Sequence, residues 1–311
     1  MASVIERITD NVMNSPTMAS VTFENIGQIL DLKDEDIFHR NRATYQRYMY
    51  SSHRNVNWFG RGANNAQDVV KRAMLGWKEG YELVEHRANE LRKLVKGDAV
   101  AYKQNSTKTK RIVEFADQGD EIDIHKVYQG NLGTAWRRTK RITVDKTHHL
   151  VTVMVDVGGN GDVKVDDSLW RAAVAWVLVE DLVAQGKSVK VIIGSSCSHL
   201  IKSDRSKEVT TDIVVKNYNE PLSPERLAGM ANVGFHRVYN FCARCVLPYK
   251  INEDMGHSTA TISETPPLQI QEQVKKGHTR YVYVSRSTSV RSAVKSLESC
   301  YKQMKEFAKV A

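Results

Sequence analysis

The run Leu150-Val-Thr-Val-Met-Val-Asp156 is apolar or β-branched up to a terminal carboxylate, the pattern of a strand buried on both faces. A polar glycine loop, Val157-Gly-Gly-Asn-Gly-Asp162, follows. Asp166 and Asp167 then stand where a helix N-cap and first turn favour negative charge, ahead of Ser168–Ala184, which is apolar nearly all round apart from Arg171. Such a helix must be extensively buried. Gly186 ends it, and Ser188–Ile193 is a second apolar strand. Strand, helix and strand at these lengths predict a βαβ crossover and a parallel pair. Downstream, the pattern predicts a third strand over Glu208–Val215, reached through a polar connection that contains Gly194-Ser-Ser-Cys-Ser-His199. A helix follows from Ser223 (cap) and Pro224 (first position) toward Asn232, then another over Phe235–Val246, a strand over Tyr281–Val284 and a closing helix over Val290–Val310.

Upstream, the first hundred residues read as helical and polar. From Ala66 to about Lys96, Val69, Ala73, Trp77, Tyr81, Val84, Ala88 and Leu91 recur every three or four positions as one stripe. Gly76 and Gly80 interrupt it, which predicts either a kink or two helices. Residues 99–150 hold short, partly alternating runs at Val100–Tyr102, Arg111–Phe115 and Ile122–Ile124, then a short helix ending at Gly130. The expected fold class is therefore α/β: a Rossmann-like open sheet over 148–311, a helical region over 1–98 and a small β-containing basic segment over 99–147.

Composition alters this picture little. No run of about 18 uncharged apolar residues occurs, so no membrane span is expected. The first residues carry no secretory-signal pattern, which gives a cytoplasmic expectation. Four cysteines in this setting read as reduced thiols. The formal charge of +9 favours polyanions, and the excess is densest in residues 101–150, with 10 basic against 6 acidic residues.

A glycine loop at the C-terminal end of the first strand of an open α/β sheet lies where ligands bind. Gly158-Gly159-Asn160-Gly161 does not match the dinucleotide pattern G-x-G-x-x-G, and no Gly-Lys-Ser/Thr follows as in a phosphate-binding P-loop. The strand ending in Asp156 and the long apolar helix after it resemble the von Willebrand factor A domain. That family holds a divalent cation with a strand-terminal Asp-x-Ser-x-Ser motif, helped by a Thr and an Asp from later loops. The resemblance implies Asp156 and Asn160 as ligands with Gly158 between them, and Thr210 or Thr211 as the distant threonine. Gly158 has no side-chain oxygen, and Ser285-Arg286 stands where the later Asp is expected. Mg²⁺ needs several oxygens in near-octahedral geometry, so no cofactor is expected beyond a weakly held Mg²⁺. The whole chain also looks like uncharacterised bacteriophage and actinobacterial proteins through Asn57-Trp-Phe-Gly-Arg61 and Gly76-Trp-Lys-Glu-Gly80.

Other chemistry is sparser. Cys242-Ala-Arg-Cys245, with His236 and His257 on either side, lacks a second ligand pair for structural zinc and fits a packed helical face. Trp136, Arg137, Arg138, Lys140 and Arg141 form a basic-aromatic segment suited to phosphates and bases, and Lys275, Lys276 and Arg280 begin a second basic stretch. A third aromatic-basic cluster lies between Tyr45 and Arg61. The loops carrying Gly158 and Gly159 and, after the second strand, Ser195 and Ser196 are expected to line one cleft at the strand ends. No nucleophile, base or paired carboxylate stands out as catalytic. The expected function is thus a non-enzymatic interaction or scaffold protein with a protein partner, phage-related as the resemblance implies. Nucleic-acid binding is the alternative and a metal-dependent hydrolase built on Asp156 the third reading. No membrane partner is expected, and the oligomeric state is not legible.

Overall fold

The computed structural model describes residues 12–14, 18–32, 37, 39–50, 56–60, 63–95, 108–116, 121–144, 150–158, 163–201, 205–247 and 280–310. Two strands come first, β1 (Val12–Asn14) and β2 (Met18–Phe23), before the helices α1 (Gly27–Leu30), α2 (Arg42–Tyr50), α3 (Val56–Phe59), α4 (Ala66–Leu75) and α5 (Lys78–Leu94). The middle of the chain supplies β3 (Lys108–Ala116), β4 (Glu121–Ile122), α6 (Ile124–Tyr128) and β5 (Trp136–Val144). The last part runs β6 (Leu150–Asp156), α7 (Val165–Ala184), β7 (Ser188–Ile201), β8 (Arg205–Lys216), α8 (Pro224–Met230), α9 (Val233–Arg244), β9 (Arg280–Val284) and α10 (Val290–Val310).

One sheet has six strands in the order β1-β2-β8-β7-β6-β9, and a second has three in the order β3-β5-β4. In the large sheet β6 pairs in parallel with both β7 and β9, as a βαβ crossover requires, while β7 and β8 are antiparallel. The segment β8-β7-β6-β9 thus has the third-second-first-fourth order of a doubly wound sheet, with its third strand reversed. The Rossmann-like expectation holds at this level. The two N-terminal strands were not expected; β2 extends the sheet by pairing in parallel with β8, Val21 facing Thr211.

Two expectations need correction. Gly194–His199 is not a loop: β7 continues through it to Ile201 as one arm of a long hairpin, with Gly194 opposite Asp212 and Ile201 opposite Arg205. Serine and histidine there are held extended because the antiparallel partner supplies ladder hydrogen bonds, which outweighs their turn preference. Asp166 and Asp167 are not the cap of α7 either. Lys164 occupies that position without a side-chain cap, and the two carboxylates lie in the first turn, where they act on the helix dipole. Ser223, by contrast, does cap α8, accepting from Arg226 N at 3.2 Å with Pro224 in the first turn.

The stripe from Ala66 is broken into α4 and α5 at Gly76, whose φ of +101° a side-chain-bearing residue rarely adopts. Gly80 does not break the helix. It makes room for the Trp77 ring, since a Cβ at residue 80 would stand 2.2 Å from it. Arg72 lies over that ring, 4.9 Å from its centroid. The Gly-Trp-Lys-Glu-Gly motif is therefore a packing device at the α4–α5 corner.

Val151, Val153 and Val155 point to the sheet face covered by α7, α9 and α10, and all belong to one apolar cluster with those helices. The alternate positions differ in kind. Met154 and Tyr283 form a separate small cluster, and around them Thr152, Asp156, Thr210, Asp212 and Lys216 are all buried. One face of the sheet is a hydrocarbon core, and the other is a buried polar layer. No helix among the described residues is long and apolar enough to cross a membrane.

Helix α8 packs closely on α4. A Cβ at Gly229 would lie 2.6 Å from the backbone oxygen of Arg72, which cannot move without moving α4. Gly229→Ala should therefore destabilise the fold by about 1–3 kcal/mol despite alanine's higher helix propensity. A urea midpoint that rises instead would show that the helices separate freely.

Candidate functional site

From the end of β6 the chain crosses through α7 to β7 on one side, whereas β9 flanks β6 on the other. The C-terminal ends of β6 and β9 thus lie side by side, at the position where open α/β sheets bind ligands in a crevice. Asp156 closes β6 there and is 6% exposed. Its Oδ1 accepts from Gly158 N at 2.7 Å and its Oδ2 from the Tyr283 hydroxyl at 2.8 Å. The carboxylate thereby folds the start of the glycine loop back over the strand end.

Arg171 reaches the same place from α7. It is fully buried, and its Nη1 donates to the backbone oxygens of Asp156 at 3.1 Å and Gly158 at 2.9 Å. Its Nε and Nη2 are buried with no hydrogen-bond partner among the described residues. Burial lowers its pKa to about 10 against the pull of Asp156, and the neighbouring charge of Arg286 pushes the same way as burial. Arg286 follows β9. Its Nη2 would stand 3.1 Å from a Cβ at residue 158, and its Nε and Nη2 likewise have no partner among the described residues.

More cations surround these two. Arg237 on α9 donates to the backbone oxygens of Trp58 at 2.9 Å and Val163 at 2.8 Å, and its guanidinium lies 4.7 Å over the Trp58 ring. His236 next to it reports the local field: burial, then Arg244, Arg171, Arg286 and Arg237, all drive its pKa well below the usual imidazole range, so it is neutral at pH 7. The Trp-Phe-Gly motif serves this region. Gly60, at φ +88°, lies against Val165, and the Phe59 carbonyl approaches Gly234 so closely that a Cβ there would be 2.7 Å away. The segment is thereby held against the starts of both α7 and α9.

Among the described residues of the loop that the von Willebrand resemblance implies around a divalent cation, Asp156 and Gly158 offer no unengaged side-chain oxygen. Both oxygens of Asp156 are engaged, residue 158 offers none, and a guanidinium lies beside it. Among the described residues no three His, Cys, Asp or Glu side chains are grouped to hold a metal ion. Gly159 and Asn160 lie outside the described residues. Thr210 and Thr211 point to opposite faces of β8: Thr211 donates to Asn240 Oδ1 at 2.7 Å, while the buried Thr210 hydroxyl has no partner among the described residues. Ser195 and Ser196 are strand residues; the Ser195 hydroxyl lies 3.8 Å from the Cβ position of residue 158 and so does border the crevice.

The remaining candidates are dispersed. Trp136 and Arg137 begin β5, which continues through Arg138, Lys140 and Arg141, whereas Arg280 opens β9 in the other sheet; Lys275 and Lys276 lie outside the described residues. In the third cluster Tyr48 stacks on Phe241 at 3.9 Å and the Tyr45 hydroxyl meets the Ile29 carbonyl, so these rings are core. Cys242 and Cys245 are buried on α9, with the Cys245 thiol pushed up to about 12 by burial and directed at the Phe241 carbonyl. His257 lies outside the described residues.

Sequence reasoning missed Arg171, Tyr283 and Asp212. Arg171 had a signal, because a lone cation on a helix that is apolar all round must be buried. Asp212 lies in register with Gly194 and Asp156 across three strands, and Gly194 makes room for it, since a Cβ there would be 2.4 Å from its Oδ1. Burial without a counter-charge pushes its carboxyl up to about 7 from 3.8. The folded state then holds this proton more tightly than the unfolded chain. Its contribution to stability is full below about pH 4 and is lost as the pH rises through about 7. Asp212→Asn should remove that loss. The stability of the variant relative to the parent should grow by roughly 1–4 kcal/mol between pH 4 and pH 8 in urea titrations, and a constant difference would refute the assignment.

Comparison with curated proteins and with solved structures finds no match. Residues 9–307 match the family model described as a domain of unknown function, DUF7192, and the chain belongs to that family.

Proposed function

We propose that the chain is a non-enzymatic interaction protein whose crevice at the ends of β6 and β9 holds an acidic group of a protein partner. The observation that carries this reading is Arg286, which lies beside Gly158 with two buried nitrogens lacking hydrogen-bond partners among the described residues. A guanidinium matches a carboxylate through two parallel N–H donors, and it binds best where water is excluded. Leaving such donors buried and unpaired costs several kcal/mol, which an incoming anion offsets. Asp156 does not fill this role, because its oxygens already accept from Gly158 and Tyr283. Besides Arg286, three further cations act on the nearby His236, namely Arg244, Arg171 and Arg237, and they add a field of the same sign.

The strand order and the helix after Asp156 support the von Willebrand factor A architecture for the α/β part. In this reading a fixed guanidinium replaces the exchangeable cation of that family, so recognition is independent of metal. Melting curves test it. A glutamate-rich peptide at about ten times its Kd should raise the Tm by about 1–3 °C, and Arg286→Gln should abolish the rise. Millimolar Mg²⁺ or Mn²⁺ should leave the curve unchanged. A metal-induced rise that Asp156→Ala abolishes would replace this reading with the metal-dependent one.

A further inference from the structure

The two long strands of the three-stranded sheet pack on the turn at Leu132–Thr134, which in turn meets α6. Its two long strands, Lys108-Thr-Lys-Arg-Ile-Val-Glu-Phe-Ala and Trp136-Arg-Arg-Thr-Lys-Arg-Ile-Thr-Val, pair antiparallel along their whole length, Lys108 opposite Val144 and Ala116 opposite Trp136. The pair carries seven cations and one acid, Glu114. In register, these cations find a single acid among their directly opposite residues on the two long strands. Arg111 lies directly opposite Arg141, and Lys140 lies opposite Ile112; only Arg138 faces the acid. Like charges directly across an antiparallel pair destabilise it, so a ribbon with only a structural task gains nothing from this arrangement. At the other end of β5, Arg137 is opposite Glu121 and within 3.4 Å of Asp123, so the unbalanced charge is concentrated away from α6, toward Lys108 and Val144.

We infer that this ribbon binds double-stranded nucleic acid through the phosphate backbone. Nine residues of antiparallel strand extend for about 30 Å, and a two-stranded ribbon fits the major groove of a duplex, which is about 12 Å wide. Phosphates along both rims of a groove offer anions to a row of cations without requiring any base-specific contact. The site is separate from the crevice in sequence and in sheet, and it does not rest on the reading given for Arg286.

Fluorescence anisotropy with a random-sequence 20-base-pair DNA duplex tests it. The full chain should bind at 50 mM salt and lose at least about a hundredfold in affinity by 200 mM. The double variant Arg111→Gln/Arg141→Gln should bind roughly tenfold more weakly at low salt, with the salt slope shallower by about 2. Its Tm should stay level or rise, because a repulsive pair has been removed. Arg286→Gln should bind the duplex like the parent. No binding at 50 mM salt, an unchanged double variant, or tighter binding of the single strand or of heparin would each overturn the proposal.

Discussion

Arg171 ties α7 to the end of β6 with two hydrogen bonds to backbone oxygens, and most of the crevice follows from that contact. A fully buried guanidinium must be compensated, or the fold loses several kcal/mol. Two carbonyl dipoles and the charge of Asp156 compensate it in part. In return the arginine fixes where β6 stops and how Gly158 leaves the strand. Truncating it would remove a helix-to-strand tether and leave Asp156 with its nearest buried counter-charge gone.

The same contact sets the sign of the crevice. Asp156 alone at a strand end would make it anionic and open to a cation. With Arg171 at the strand end and Arg286 beside Gly158, two guanidinium groups stand against that one carboxylate. Arg237 then secures the far end of the glycine loop through the Val163 carbonyl and brings Trp58 against α9. The N-terminal helical region is thereby part of the construction around the site, although its sequence gives no catalytic or ligand-binding pattern of its own.

The elements legible in sequence were those with one dominant signal. β6, α7 and β9 have strong apolar patterns, and Gly76, Ser223 and Pro224 have fixed backbone roles. The β7–β8 hairpin was cut short because Ser195–His199 has no apolar alternation; its extension depends on a partner strand, which local pattern does not report. β2 was missed for a related reason, since Ala19 to Thr22 is a weak strand whose place is set by the edge of β8. At the site, Asp156, Gly158 and Arg286 were legible, with Ser285-Arg286 standing where the later Asp of a cation site is expected, whereas the hydroxyl that engages Asp156 was not. Whether a carboxylate faces a metal or a hydroxyl depends on Tyr283, which is far away in sequence and looks like an ordinary strand aromatic.

The two faces of the large sheet explain why polar residues of this kind survive in its interior. On the helical side valines pack against α7, α9 and α10, and that hydrocarbon core carries the stability. On the other side Asp212 and Thr210 are buried with no hydrogen-bond partner for Asp212 Oδ1 or the Thr210 hydroxyl among the described residues, at a cost the valine face must offset. A domain shaped by stability alone would replace Asp212 with an apolar residue, because burial already holds its carboxyl near pH 7 and nothing charged supports it. Its row with Gly194 and Asp156 runs along the sheet to the crevice. The polar layer is thus continuous with the site: the row of Asp212, Gly194 and Asp156 carries buried polar positions from β8 to the end of β6.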